Sequence, residues 1–553
     1  MLNQHFLFAK GRDRMFRANV EHNQLSMLDS TQWMDSKVRE KLRKSWAPIF
    51  YEHVFCQIDE EPFSVLYGTT GNPNFPVNIL LSLEYIKFMK DYSDLDLLDA
   101  FSFDYQVNYA VGIHTLGERN LAERTLYYFR ERIYDYCLSN PDGEDLLFRQ
   151  FLILLHGFAD KAGIMMEKQR ADTTMFMSNI KKAGRMSLAH DVLVVAVKAI
   201  PEDLRTEALS NVLKPGFKTD LLFRTKSQDR DSKLTTMLNL CADALRILKA
   251  LPGEEATEAG KLAERFLNEQ SILDQESGKL SPKPRKEIAT GTLQSAYDHD
   301  ATFRRKGDVS QSGYVLEISE TCDRENQFQL ITDYKVEPNN VSDQKIMEGR
   351  LKPIRRNTGC TDMYLDGGFH SDDVHKIAAE NDIKIHLTNM SGEQQTKKLP
   401  VSKFTIDMET NVIQQCPGGH APTQAGVSGG QTVAHFSHEA CANCEHASRC
   451  HIKKQNKDCV VRINLKAVEV SRKREVMKAG KLENTSMRAG IEGSNSALKR
   501  CGLDKLDVRG ITKSDIVCGF MTTVQNIKRF IKYKRGGYKK KRKPVGVPAP
   551  CYT

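Results

Sequence analysis

The sequence predicts an α/β protein: a mixed sheet flanked by helices, preceded by an all-helical N-terminal region and interrupted by a cysteine-bearing insertion. Three observations predict it. Helical periodicity fills residues 1–155 and returns over about 184–272, ahead of a linker. Short apolar and β-branched runs follow residue 291, in GYVLEISETC, QFQLITDYKV, MYLDGG and IKIHLTN, with the helix-like DDVHKIAAEND between the last two. A glycine-rich stretch holding Cys416, Cys441, Cys444 and Cys450 then lies between FTIDME and VVRINL.

The elements follow in chain order. Ile79, Leu80, Leu83, Ile86 and Phe88 recur at helical spacing over 76–89, and Leu95, Leu98 and Phe101 lie three apart. AERTLYYFRERIYDYCL is apolar on one side and basic on the other. A small helical bundle that recognises DNA fits 1–155, and so does a plain packing domain. Residues 156–183 begin the sheet, with a strand in AGIMMEKQRADTTMFMSNI that ends near Asp172. Within 184–290, Leu234, Met237, Leu238, Cys241, Leu245 and Leu248 form one apolar stripe, read as core, and ESGKLSPKPRKEIATG reads as a linker. The sheet resumes over 291–410, where GYVLEISETC and QFQLITDYKV read as neighbours joined by a turn at CDREN. The cysteine-rich insertion takes 411–460. Residues 461–530 close the core with two helices, TSMRAGIEGSNSALKRCG and SDIVCGFMTTVQNIKRFIKY, and 531–553 form a basic tail.

A chain of 553 residues has room for more than one domain, and 40% hydrophobic with 27% charged residues is ordinary globular usage. No run of 18 apolar residues occurs, so no membrane span is expected. MLNQHFLFAKGRDRMF lacks the apolar stretch of a signal peptide, which points to the cytoplasm. The 13 cysteines then read as thiols or metal ligands, not as a disulfide framework. A net charge of +9 says little by itself, but KRFIKYKRGGYKKKRK holds ten lysines and arginines and no acid. Lys528, Arg529, Lys532, Lys534 and Arg535 are thus candidate phosphate-binding residues, the alternative being a disordered solubilising tail.

Asp366 follows a short apolar strand and precedes Gly367 and Gly368, so its carboxylate can face an open site; an Asx turn is the alternative. Arg488, Glu492 and Lys499 lie four and then seven residues apart, on one face of a helix. A glutamate between two phosphate-binding cations suits a metal ligand, although i,i+4 charge pairs are common on any surface helix. Among the cysteines, CANC is a good metal hairpin, and Cys416, Cys441, Cys444 and Cys450 together would suit structural Zn2+. His420, His438, His446 or His451 could replace one of them, Cys459 is spare, and unliganded thiols are the alternative.

The arginine, three residues, glutamate, six residues, lysine pattern at Arg488, Glu492 and Lys499 resembles the glutamate motif of the IS4-type (acidic-triad, DDE) transposase superfamily. Thr485 stands where that motif has tyrosine. LDGGFHSDDV resembles the second-aspartate motif, RGITKSDIVCGFMTTVQNIKRF the closing helix, and most of the chain the IS1182-like branch, whose cysteine arrangement is also similar. QRADTTMFMSN resembles its first-aspartate motif, which selects Asp172; Asp298 and Asp300 in AYDHDATFRRKG, and Asp323, are the rivals.

The resemblance implies an RNase H-like core and a catalytic triad of Asp172, Asp366 and Glu492. It implies Mg2+, with Mn2+ as a substitute, because hard cations take carboxylate oxygens and two of them can serve in-line attack on a phosphodiester. It also implies transposon-end and target DNA as partners, at least two protomers on paired ends, and cleavage followed by strand transfer. A nuclease without strand transfer and a catalytically inactive DNA-binding protein are the alternatives.

Overall fold

The computed structural model describes residues 16–23, 29–70, 72–141, 143–181, 184–222, 224–274, 278–306, 309–389 and 398–538. The signal-peptide reading, for its first 15 residues, and the basic run beyond residue 538 lie outside these. The chain forms two compact units: Met1–Met166, Asp172–Ile346 and Glu492–Thr553 make the first, Glu167–Ala171 and Met347–Ile491 the second.

Helices come first: α1 (Ala47–His53), α2 (Val77–Lys90), α3 (Asp94–Phe103), α4 (Glu123–Ser139) and α5 (Leu146–Ala162). Every residue of α2 from Val77 to Ile86 is buried, as expected of a helix surrounded by others. A capping box between Ser93 and Asp96 starts α3. This helix buries Leu97 and Phe101, one turn apart, while Leu95 is exposed; the expected three-residue stripe through Leu95 misplaced the face by following a spacing of three where a helix turns in 3.6.

Strand β1 (Lys168–Phe176) follows. Asp172 is its fifth residue, so the strand runs on four residues past the expected end, carried by Thr173 and Thr174. Helices α6 (Arg185–Lys198), α7 (Arg230–Leu248) and α8 (Glu254–Gln270) come next. The stripe of Leu234, Met237, Leu238, Cys241 and Leu248 is buried in their shared core, with Leu245 partly so. Strands β2 (Thr302–Lys306), β3 (Val309–Thr321) and β4 (Ile331–Pro338) pair antiparallel, β3 between the other two.

Strand β5 (Asp362–Leu365), α9 (Asp372–Glu380) and β6 (Lys384–Leu387) follow. Within the second unit Arg170 of β1 pairs with Tyr364 and Tyr364 with His386, both parallel. Strands β7 (Gln424–Ser428), β8 (Gln431–Phe436), β9 (Ile452–Lys454) and β10 (Cys459–Asn464) build a separate antiparallel sheet in the order β7-β8-β10-β9. The chain closes with α10 (Leu465–Arg488), α11 (Ile491–Leu498) and α12 (Ile511–Lys534). The protein is therefore mixed α/β, with parallel and antiparallel strand pairs.

In the first unit the closing helix α12 packs directly on the N-terminal helices. Phe520 meets Tyr85 and Phe88 at ring separations of 5.9 Å, and Phe530 stacks on Phe158 at 4.5 Å. Asn526 of α12 also clamps β4, accepting from Ile331 N (2.8 Å) and donating to its carbonyl (2.7 Å). The described helices before residue 163 thus belong to the same compact unit as α12.

Candidate active site

The first unit gathers Asp172 and the residues around Glu492. Asn495 stands three positions beyond Glu492 on α11, so the two share a helix face. Its amide nitrogen donates to Asp172 Oδ2 at 3.1 Å. Asp172 is thereby held against the helix that carries Glu492. Glu492 itself is exposed and Asp172 half-buried. Asn495 Oδ1 is buried and takes no hydrogen bond among the described residues.

Ser494, between Glu492 and Asn495, anchors α11 from its other side. Its hydroxyl donates to Glu320 Oε2 on β3 at 2.5 Å and accepts from Arg529 Nη2 on α12 at 2.5 Å. Glu320 is fully buried and pairs with Arg529 Nη1 at 3.1 Å. Arg529 also donates to the Gln329 carbonyl (3.0 Å). This corrects the expectation that Arg529 binds phosphate: the guanidinium is turned inward, because a buried carboxylate must be matched by a cation.

The rival aspartates are differently placed. Asp298 is buried and accepts from the Tyr314 hydroxyl at 2.5 Å, Gly510 N at 3.1 Å and Ala301 N at 3.3 Å. Asp300 accepts from Ile511 N at 3.2 Å. Both therefore satisfy the amides that open α12. Asp323 accepts from Glu325 N in the turn between β3 and β4.

In the second unit Asp366 sits just past β5. Its Oδ1 accepts from Gly368 N at 2.7 Å, so the Asx turn does form, and its Oδ2 faces Arg488 Nη2 at 3.6 Å. Gly367 is pressed against Asn389, whose Oδ1 accepts from Gly367 N at 2.6 Å; a Cβ there would lie 2.3 Å from that oxygen. Glycine is required here by close approach.

The expected single helix over TSMRAGIEGSNSALKRCG is broken. Helix α10 ends at Arg488, α11 begins at Ile491, and Lys499 starts a π-turn. Arg488, Glu492 and Lys499 hence do not share one continuous helix face. The cause lies at Gly490. Arg170 Nη1 donates to the Met487 carbonyl (2.7 Å), closing the end of α10, and its guanidinium lies where a Cβ of residue 490 would be, 2.3 Å from Nη1. Replacing Gly490 with alanine is expected to destabilise the second unit by about 1–3 kcal/mol, read as an earlier urea transition. A variant as stable as the parent would show that Arg170 is free to swing away.

The remaining cations are spread out. Lys499 pairs with Asp504 (3.3 Å), Lys528 donates to the Phe88 carbonyl (3.4 Å), and Lys532 and Lys534 lie over the rings of Tyr538 (4.8 Å) and Phe530 (6.0 Å). Arg535 is exposed at the end of α12.

Cys416, Cys441, Cys444 and Cys450 line one small cavity in the second unit, together with His420 and His446. Burial pushes the Cys441 thiol up to about 12, helped by the sulfurs of Cys459, Cys416 and Cys450. Cys459, expected to be spare, is buried beside that group with its sulfur 3.6 Å from His438 Nδ1. His451 Nε2 donates to the Leu399 carbonyl (2.8 Å). Among the described residues, no group of three or more His, Cys, Asp or Glu side chains is arranged to hold a metal ion. The four cysteines are neighbours around that cavity. Their donor chemistry suits zinc, and the oxygens of Asp172, Glu492 and Asn495 suit a hard cation.

Residues 415–531 match a family model described as a transposase DDE domain. The match supports a DDE transposase. It spans the cysteine sheet, α10, α11 and α12, and so includes Glu492, Ser494, Asn495 and Arg529. Asp172 and Asp366 precede it. No curated protein and no solved structure matches the chain. A transposase domain implies DNA as a partner and divalent metal as a plausible cofactor. No helix among the described residues is long and apolar enough to cross a membrane.

Sequence reasoning missed Ser494, Asn495, Glu320 and Arg170. Asn495 had a signal, since a polar residue three positions after a helical glutamate shares its face. Glu320 had none, because its partners lie 174 and 209 residues away.

Proposed function

We propose that the protein is an IS1182-like transposase with an RNase H-like core. It binds the ends of its mobile element, cleaves them and joins them to target DNA, acting in the cytoplasm as at least a dimer on paired ends. The observation that carries this reading is the hydrogen bond from Asn495 to Asp172, which joins the first acid to the helix bearing Glu492 inside a chain with a transposase DDE match. Asp172, Asp366 and Glu492 would hold Mg2+, or Mn2+ in its place. Bound there, the ions would supply activation of the attacking oxygen and stabilisation of the leaving one. The protein's own part is to hold the acids in place through Asn495, Ser494 and the Asx turn at Asp366. Arg488 and Lys499 would neutralise phosphate charge near them.

The test mixes purified protein, Mg2+, a plasmid bearing the element's own ends and a target plasmid. Excision followed by joining is the expected result. Cleavage without joining would make the protein a nuclease, and end binding without cleavage would make it a DNA-binding protein; either sinks the transposase reading.

For the cysteines we propose structural Zn2+ held by Cys416, Cys441, Cys444 and Cys450, with Cys459 packed behind. Elemental analysis should find about one zinc per chain, as a four-thiolate site takes one ion. Chelation should lower the unfolding temperature, and Cys441→Ser with Cys444→Ser should remove the metal. Metal-free protein whose unfolding ignores chelators would end this assignment.

A further inference from the structure

The first unit also carries a basic groove at the end of α12. Trp46, Met89, Lys90, Lys532, Arg535 and Gly537 line an open groove of about 480 Å³, where the C-terminal ends of α2 and α12 meet. The bland account is that cations simply collect at helix C-termini to match the dipole. Lys528 fits that account, since its ammonium faces the Phe88 carbonyl at the end of α2. Lys90 and Lys532 do not. Lys90 lies over the Trp46 ring at 4.6 Å and Lys532 over the Tyr538 ring at 4.8 Å. An ammonium resting on a ring face keeps N–H donors for something else.

Positive charge predominates in the groove. Among the described residues none of Lys90, Lys532 and Arg535 is in an ion pair with a carboxylate, and no acid lines the groove. Burial lowers the affinity of Lys90 for its proton; Asp104 draws it back and Arg535 opposes it. Like charges held together in this way gain most from an anion placed between them. Three cations around one groove suit the closely spaced charges of a polyanion.

We propose that this groove is a seat for the phosphodiester backbone of double-stranded DNA, gripped by Lys90, Lys532 and Arg535. The proposal rests on the transposase reading for its choice of DNA, and adds Lys90 and the groove to it. Two lysines act as point charges and Arg535 offers a fork to one phosphate. Trp46 is itself buried and serves as the floor under Lys90.

The test measures affinity of the full chain for a random-sequence 30-base-pair duplex across a salt series. Three proteins are compared: the parent, Lys90→Gln/Lys532→Gln/Arg535→Gln, and a control losing the same charge elsewhere, Lys198→Gln/Lys214→Gln/Lys286→Gln. Each phosphate contact contributes about 0.9 to the slope of log affinity against log salt. The groove variant is expected to lose about 2–3 from that slope, with a far-ultraviolet spectrum like the parent's, while the control loses little. Equal losses in both variants, or none in either, overturn the groove. A parent that ignores the duplex altogether overturns both the groove and the transposase reading. A groove variant that keeps the parental slope, in a protein whose parent cleaves and joins its element's ends, overturns the groove alone.

Discussion

Replacing Asp172 with asparagine, or Glu492 with glutamine, should abolish Mg2+-dependent cleavage and joining while leaving the protein folded and able to bind DNA. Both changes keep side-chain shape and remove one charged oxygen from a proposed metal ligand. Losing even a hydrogen-bonding partner of a metal ligand typically costs 10–100-fold, so losing the ligand should cost more than about 100-fold. Stability should move little, because Glu492 is exposed and Asp172 retains an oxygen that can accept from Asn495. Asp298→Asn is the informative contrast. Asp298 is buried under Tyr314 and the amide of Gly510, so its loss should cost about 1–3 kcal/mol of stability and leave the metal dependence of any residual cleavage unchanged. Full cleavage by Asp172→Asn, with metal-dependent loss in a folded Asp298→Asn protein, would exchange the roles of the two residues.

That contrast shows how far the sequence could be read. Periodicity placed nearly every element, because burial imposes its period on apolar residues wherever a helix or strand meets a core. The buried stripe along α7 and the pairing of β3 with β4 are of this kind. The errors came where a distant partner decides local structure. Nothing within a few residues of Gly490 reveals that Arg170 occupies the space beside it, so one helix was expected where two stand. Arg529 looked like the first residues of a basic tail, since the buried Glu320 that turns it inward lies 209 residues earlier. The partner of α2 and α5 was hidden for the same reason: α12, at the far end of the chain, packs on them. The motif for the first aspartate carries no spatial information, and the hydrogen bonds of the two candidates differ: Asp172 accepts from Asn495 on the helix of Glu492, Asp298 from the backbone that opens α12.

Arg529→Met is the substitution with the largest expected cost to stability. It removes the cation paired with Glu320, a fully buried carboxylate, at similar side-chain volume. Breaking a buried pair from one side typically costs about 3–5 kcal/mol, because the remaining charge stays in a medium that solvates it poorly. The first unit should therefore unfold at clearly lower urea. Glu320→Gln/Arg529→Met should recover much of the loss, since the amide can keep the Ser494 hydrogen bond without a charge to neutralise. The same pair fixes α11 through Ser494, so even the folded fraction of Arg529→Met should cleave more slowly, with unchanged affinity for DNA, and Arg529→Lys should restore part of the rate. That combination separates a positioning residue from a phosphate contact. If Arg529→Met were as stable as the parent and instead lost about 0.9 from the salt slope of DNA binding, the guanidinium would be facing the DNA and not Glu320.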